Sequence, residues 1–136
     1  MRILGIDLGE KRVGIAVSDE LKMTAQGVDV IKRKDFNHPE RVKELCKQYQ
    51  VIEIVLGYPL TMKGTSGVAA QEAEKIQKKL QNETGLPVYL WDERLTSVSA
   101  ERVLFEADIS RKSRQEVKDK LAAVFILESF LERRNK

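Results

Sequence analysis

The sequence predicts an α/β protein built on a five-stranded mixed sheet, and two observations carry this prediction. The chain opens with three β-type segments separated by short turns, Arg2–Leu8, Val13–Ser18 and Gly27–Ile31, which is the pattern of an antiparallel meander. Two later apolar segments, Ile52–Leu56 and Val88–Trp91, each follow an amphipathic helix, as parallel strands joined by crossovers do. We therefore expect three antiparallel strands and then two parallel ones, with helices on both faces.

Two helices are expected between the strands. Asn37-His38-Pro39-Glu40 predicts the start of the first, with Asn37 as its N-cap and Pro39 in its first turn, and it runs to about Tyr49. The second is expected from Val68 to about Glu83, where Gly85 and Pro87 stop it. Apolar residues at helical spacing predict the inward faces of both: Val42, Leu45, Cys46 and Tyr49 in the first, and Ala73, Ile76 and Leu80 in the second.

Two more helices are expected after the last strand. The first runs from about Val98 to Glu106. A capping box, Ser113-Arg114-Gln115-Glu116, predicts the start of the second, which lasts to about Arg133. The complete order of elements matches the ribonuclease H-like arrangement, in which a five-stranded mixed sheet carries helices on both faces.

Composition restricts the class of protein. At 136 residues the chain is expected to form a single domain, residues 1–136, and 42% apolar with 33% charged residues is typical of a globular fold. No apolar run approaches the ~20 residues that span a bilayer. There is no signal-peptide pattern before the first strand, and the lone Cys46 excludes an intrachain disulfide. We expect a cytoplasmic protein that does not bind a membrane.

The charge of the chain is weakly basic. Lys and Arg outnumber Asp and Glu by 24 to 21, and basic residues cluster at Lys11-Arg12, Lys32-Arg33-Lys34 and Arg111–Arg114. This favours a polyanionic partner such as nucleic acid. The alternative is that each cluster is a solvated turn.

Carboxylates stand at three places where a functional edge of the sheet is expected. Asp7 lies inside the apolar first strand, and an isolated buried charge costs several kcal/mol unless it is compensated. Asp92 and Glu93 end the last strand, at the edge where open α/β sheets bind ligands. Asp119 heads the apolar stripe of the last helix, followed by Ala122, Ala123 and Ile126. We expect these acids to converge.

Converging carboxylates predict a divalent metal. Oxygen ligands suit Mg²⁺ or Mn²⁺, and two such ions ~4 Å apart activate water and stabilise the leaving oxygen in phosphodiester hydrolysis. A zinc triad or a Ser-His base is disfavoured, because His38 is the single histidine of the chain. The sequence therefore predicts metal-dependent hydrolysis of a nucleic acid backbone.

Each acid also has a purely structural interpretation. Asp7 would accept hydrogen bonds from turn amides between Gly9 and Lys11, Asp92 or Glu93 would pair with Arg94, and Asp119 would be an acid favoured by the helix dipole. The segment from Gly57 to Gly67 offers a phosphate site, with backbone amides before a helix and side-chain donors on Lys63 and Thr65. Its alternative is a plain connection with Ser66 as the helix cap.

Four motifs together resemble the YqgF family of candidate Holliday junction resolvases and pre-16S rRNA nucleases. They are Leu4 to Asp19, Gly57 to Gly67, Asp92 to Ser97 and Asp119 to Ala123, in family order and spacing over essentially the whole chain. The resemblance implies a ribonuclease H-like fold related to RuvC, a Mg²⁺- or Mn²⁺-dependent nuclease site, a cytoplasmic location and a role in maturing the 5′ end of pre-16S rRNA.

Carried over by position, the resemblance implies Asp7, Glu93 and Asp119 as the catalytic, metal-binding acids. Arg12, Lys63, Thr65 and Arg94 are expected to contact substrate phosphate, mainly from their positions beside the acids. The substrate is structured RNA or branched DNA, and the motifs do not separate the two. The protein is expected to act as a monomer or a homodimer, because junction cleavage needs two sites and end trimming needs one.

Two other functions fit parts of the sequence. The first two strands also resemble the phosphate-binding hairpin of sugar kinase, actin and Hsp70 ATPases, but enclosing a nucleotide in that way requires a second lobe. A non-catalytic nucleic-acid-binding module is the other alternative, because a nuclease fold does not guarantee turnover. The presence of all three acids argues against it.

Overall fold

The computed structural model describes residues 1–9, 11–37, 39–58, 68–92 and 111–135. Its strands are β1 (Arg2–Leu8), β2 (Arg12–Ser18), β3 (Ala25–Lys32), β4 (Val51–Tyr58) and β5 (Val88–Asp92). Its α-helices are α1 (Glu40–Gln48), α2 (Val68–Thr84) and α3 (Arg111–Arg134), and a short 3₁₀ helix, Arg33–Asn37, follows β3.

The five strands form one mixed sheet in the order β3-β2-β1-β4-β5. The pairs β1–β2 and β2–β3 are antiparallel, whereas β1–β4 and β4–β5 are parallel. The predicted meander with two added parallel strands is confirmed, and with it the ribonuclease H-like arrangement. Because β1, β4 and β5 run in the same direction, their carboxyl ends lie along one edge of the sheet.

Side chains alternate between two cores on opposite faces of the sheet. On β1, Leu4, Ile6 and Leu8 belong to a core that includes residues of α1 and α2, whereas Ile3 belongs to a second core with residues of α3. The predicted inward faces of α1 and α2 are confirmed, because Val42, Leu45, Cys46, Ala73 and Leu80 are buried and Tyr49 and Ile76 pack against the first core. Among the described elements, α3 is therefore the one helix that covers this second face of the sheet.

Helix α3 lies unusually close to the sheet. A Cβ atom placed on Gly5 of β1 would be 2.8 Å from the Cβ of Leu127. Glycine in a strand interior permits such an approach of another element, whereas a side chain would push the helix outward. The glycine therefore sets the distance between α3 and the first strand.

Two of the predicted helix starts are wrong. The N-cap of α1 is Pro39 rather than Asn37, which ends the 3₁₀ helix instead. α3 begins at Arg111, so Ser113 lies in its first turn and not at its N-cap. In both places a local capping signal did not determine the boundary, because helix ends also depend on the connecting segments. The predicted helix Val98–Glu106 lies outside the described residues. Within the described ranges, no helix is both long and apolar enough to cross a membrane.

Candidate active site

Asp7 lies at the carboxyl end of β1, on the face covered by α3. It pairs with Gly14 on β2 and with Gly57 on β4, so the strand positions on both sides of it carry no side chain. Its Oδ1 atom is shielded from solvent although the residue as a whole is only partly buried. The sheet thus presents one carboxylate in a row of glycines at its carboxyl edge.

Gly14 allows the backbone of α3 at Asp119 to approach the sheet next to Asp7. A Cβ atom on Gly14 would lie 2.0 Å from the backbone oxygen of Asp119 and 3.6 Å from the Cβ of Ala123. Cβ atoms do not approach backbone oxygens that closely, so only glycine permits this packing. Since Gly14 is the strand partner of Asp7, the backbone of α3 at Asp119 lies over the strand position next to Asp7, and the convergence of the two carboxylates stays a prediction.

Arg12 forms an ion pair with Asp119. The Nε atom of Arg12 donates a hydrogen bond of 2.7 Å to Oδ2 of Asp119, and the two side chains are 37% and 16% exposed. Arg12 begins β2 and lies two residues before Gly14, so it shares the α3 face of the sheet. One of the cations expected to bind phosphate therefore contacts one of the expected metal ligands directly.

The turn after Asp7 is held by backbone contacts and by a second arginine. The N–H of Gly9 donates to the carbonyls of Asp7 and Arg12, both at 3.1 Å. Arg33 donates from Nη1 to the carbonyl of Gly9 at 3.2 Å, and its Nη2 lies 3.2 Å from Oε2 of Glu72 on α2. Arg33, expected to be part of a basic surface cluster, instead ties this turn to the opposite helix layer.

Several predicted site residues cannot be placed. Those outside the described residues are Lys63, Thr65, Glu93 and Arg94. Asp92 is the final residue of β5 and pairs with Tyr58 at the end of β4, so residues 59–67 and 93–110 follow strands that end at the edge carrying Asp7. The positions of the third acid and of the phosphate-binding side chains stay predictions.

The donor set at this edge fits a hard divalent cation. Within the described ranges, no group of three or more His, Cys, Asp or Glu side chains is close enough to hold a metal ion. Asp7 and Asp119 provide oxygen ligands only, and Mg²⁺ commonly binds proteins through one or two carboxylates, completing its shell with water and substrate phosphate. The two described acids therefore fit Mg²⁺ or Mn²⁺ better than zinc.

Cys46 is not a candidate nucleophile. It lies on the buried side of α1, in the core on the face opposite Asp7, and burial raises the pKa of its thiol to about 11. Because the thiolate is the reactive form, this thiol is inert near neutral pH. The expectation of a buried structural thiol is confirmed.

The glycines and Arg33 are the functional residues that sequence reasoning missed. Gly5, Gly14 and Gly57 stand inside strands otherwise rich in Val, Ile and Leu. Glycine inside a strand often marks a close approach by another backbone, and this signal was available. Arg33 carried no comparable signal, because its partners Gly9 and Glu72 are distant in the sequence.

Comparison with known proteins identifies the family. The model of the RuvX family, described as Holliday junction resolvase, matches residues 1–133. The chain belongs to this family. A relative from Syntrophomonas wolfei, described as a candidate pre-16S rRNA nuclease, is 53% identical over 133 residues, covering 97% of this chain and 94% of the relative. The family and its relatives are described as nucleases, so the predicted resemblance and enzyme class are confirmed at that level.

Solved structures share the fold of the RuvX chain at low sequence identity. The RuvC protein of Thermus thermophilus in complex with a Holliday junction substrate has a TM-score of 0.62 and 18% identity, covering 100% of this chain and 97% of that one. The fowlpox virus Holliday junction resolvase has a TM-score of 0.53 and 16% identity, covering 98% and 99%. These similarities support the fold assignment alone.

Proposed function

We propose that this protein is a metal-dependent endonuclease that hydrolyses phosphodiester bonds in nucleic acid. The observation that carries the proposal is the placement of Asp7 and Asp119 on one face of the sheet, through the contact between Gly14 and the backbone of Asp119. Two acids on one face at the carboxyl edge of the sheet support a metal-binding role for this edge.

Asp7, Asp119 and Glu93 are the proposed metal ligands. Trp91 packs against the core under α3, and Glu93 follows it by two positions in the sequence, the spacing at which residues of a strand share a face. This supports Glu93 over Asp92 as the third acid. A bound pair of Mg²⁺ or Mn²⁺ ions would activate water and stabilise the leaving oxygen.

The other side chains of the site have supporting roles in this proposal. Arg12 holds Asp119 through the 2.7 Å hydrogen bond and brings a positive charge where a phosphate would approach. Arg33 fixes the Gly9 carbonyl and so the turn after Asp7. Lys63, Thr65 and Arg94 are proposed to contact substrate phosphates, on the basis of their sequence positions after β4 and β5.

The substrate we propose is the precursor of 16S rRNA, cut during maturation of its 5′ end in the cytoplasm. The names of the relatives, which are about 50% identical over almost the full chain, support this choice. Four-way DNA junctions are the second candidate substrate, supported by the family description. In either case residues 1–136 would act as one nuclease domain, as a monomer or a homodimer.

Parallel cleavage assays test the proposal. The protein should cut a 16S rRNA precursor in Mg²⁺ or Mn²⁺ and lose this activity in excess chelator, with slower cutting of a four-way DNA junction. Glu93→Gln should remove the activity, whereas its neighbour variant Asp92→Asn should retain most of it. Salt-dependent binding of both substrates without cleavage of either would favour the non-catalytic binding module instead.

A further inference from the structure

We propose that a pocket beneath the end of α3 binds an unpaired nucleotide of the strand cut at the active site. The pocket has a volume of about 370 Å³, and its lining combines aromatic rings with charged side chains: Glu53, Tyr89, Trp91, Phe130, Arg133 and Arg134. The proposal rests on the proposed nuclease function and adds to it a preference for single-stranded nucleic acid beside the cut.

Three aromatic rings form one wall of the pocket. The ring of Phe130 stacks on Tyr89 at 5.8 Å between centroids and meets Trp91 edge to face at 5.6 Å. Tyr89 is still 45% exposed, so the wall is open to a ligand. Exposed aromatic rings stack on nucleic acid bases of any sequence, and each such contact contributes about 1–3 kcal/mol to binding.

The charges at the pocket favour a nucleotide over an uncharged aromatic ligand. Arg133 and Arg134 come from the last turn of α3, and Arg134 pairs with Glu53 on β4. Two guanidinium groups therefore face one carboxylate, which leaves a positive balance at the rim. Arginine binds phosphate through its planar fork and also stacks on bases. The aromatic rings can thus stack on the base of a nucleotide, and the arginines can bind its phosphate.

The pocket lies on the same face of the sheet as Asp7. Trp91 pairs with Gly57, and Gly57 pairs with Asp7, so the two residues are two strands apart in one row. At about 4.8 Å between neighbouring strands, their backbones are separated by ~10 Å. The Trp91 end of the pocket is thus about three nucleotides of a stacked strand from Asp7, at ~3.4 Å each, and Glu53, four residues before Gly57 on β4, lines its far end. Ile126 packs over Gly57 between them, so the connecting strand would follow the carboxyl edge of the sheet.

The fluorescence of Trp91 can report binding at the pocket, because it is the single tryptophan of the chain. The full protein, in chelator to prevent cleavage, is titrated with a single-stranded adenylate RNA of about eight nucleotides. We expect saturable quenching of tryptophan fluorescence by this RNA and little change with a blunt duplex of the same length. Tyr89→Ser should weaken binding ~10-fold, whereas Tyr89→Phe, which keeps the ring, should bind like the parent.

A matched pair of charge variants tests the role of the arginines. Arg133→Gln should weaken binding of the same RNA severalfold. Arg41→Gln removes the same charge from α1, where Arg41 pairs with Asp29 and Glu44, and should have little effect. Equal effects of the two variants would indicate general electrostatic attraction and would overturn the assignment of this pocket.

Other outcomes separate this inference from the proposed function. Saturable quenching in a protein that cuts no substrate would support the pocket and contradict the nuclease. Cleavage without quenching, or equal quenching by the duplex, would overturn the pocket alone. A fluorescence change that depends on protein concentration without RNA, and that Tyr89→Ser removes, would assign this face to self-association and would also overturn the proposal.

Discussion

At the scale of single residues, the protein itself compensates part of the charge at its candidate metal site. Arg12 contacts Asp119 at 2.7 Å, and the Asp119 side chain is only 16% exposed. An arginine in this position lowers the cost of placing a second carboxylate near Asp7 before any ion is bound. It also occupies an oxygen that a metal ion would use. In the proposed metal site, Arg12 would therefore both support Asp119 and compete with the ion.

Replacing Arg12 should separate metal binding from catalysis. In Arg12→Gln, loss of the competing charge should tighten Mn²⁺ binding about threefold to tenfold, as for a partly exposed charge pair of ~1 kcal/mol. Cleavage should nevertheless fall, because the proposed contact of Arg12 with a substrate phosphate is lost. Mn²⁺ titration followed by electron paramagnetic resonance measures the first effect and a cleavage assay the second.

The control for this variant is Arg41→Gln, which breaks a more exposed arginine pair on the other face of the sheet. It should change neither Mn²⁺ affinity nor cleavage. Weaker Mn²⁺ binding by Arg12→Gln would contradict the competition and would mean that Arg12 chiefly holds Asp119 in place.

At the scale of elements, the site depends on how closely α3 packs on the sheet. The contact with Gly14 fixes the height of the helix over β2, and the contact with Gly5 fixes it over β1. Asp119 reaches the row of Asp7 only because these two positions have no side chain. The packing of one helix thus determines the geometry of the candidate site.

Gly14→Ala tests this dependence. The new methyl group would lie 2.0 Å from a backbone oxygen, so α3 must shift. We expect a loss of stability of about 1–3 kcal/mol or more, as for overpacked cores, together with loss of cleavage. Thermal unfolding and a cleavage assay at a temperature where the variant is folded measure the two effects.

A glycine variant away from the helix serves as the control. Gly85 has a positive φ of 71° and no atom within 4 Å of its Cβ position, so Gly85→Asn should be tolerated. If Gly14→Ala were as stable and active as Gly85→Asn, the close approach of α3 would not matter for the site.

Most strands and helices of the fold could be predicted from the sequence, whereas the side-chain contacts at the candidate site were harder to predict. Alternating and continuous apolar runs predicted all five strands and their pairing, because hydrophobic period and connection length restrict topology strongly. The same reasoning predicts that Asp7 and Asp119 converge, since strand ends and an apolar helix face leave few other positions, and this convergence stays a prediction. The Arg12–Asp119 pair joins residues 107 apart, and no local pattern selects one arginine over its neighbours.

In the molecule as a whole, the distribution of the small net positive charge is more informative than its size. The chain carries a net charge of +3. Lys32 is the strand partner of Arg12, so an exposed lysine and an arginine stand side by side on the face that carries Asp119. A polyanion approaching the candidate site would meet these cations first.

Removal of Lys32 should lower both RNA affinity and its salt dependence. For Lys32→Gln, the slope of log affinity against log salt should decrease by ~0.7, as expected when one phosphate contact to a single strand is lost. Lys78→Gln, on α2 beyond the opposite face, is the matched control and should keep the parent slope. Filter binding at several salt concentrations gives both slopes; equal slopes would place the nucleic acid elsewhere.

Metal-dependent cleavage by Asp7→Asn tests most directly whether Asp7 binds the metal ion. The substitution preserves size and removes the charge, and the matched control is Asp29→Asn, which alters a strand carboxylate that pairs with Arg41 on the opposite face. With both variants folded, we predict that Asp7→Asn loses cleavage of the rRNA precursor in Mg²⁺ by at least ~100-fold, the scale of a lost catalytic group. Asp29→Asn should cut like the parent. Full activity of Asp7→Asn would contradict the assignment of this residue as the metal ligand of the site.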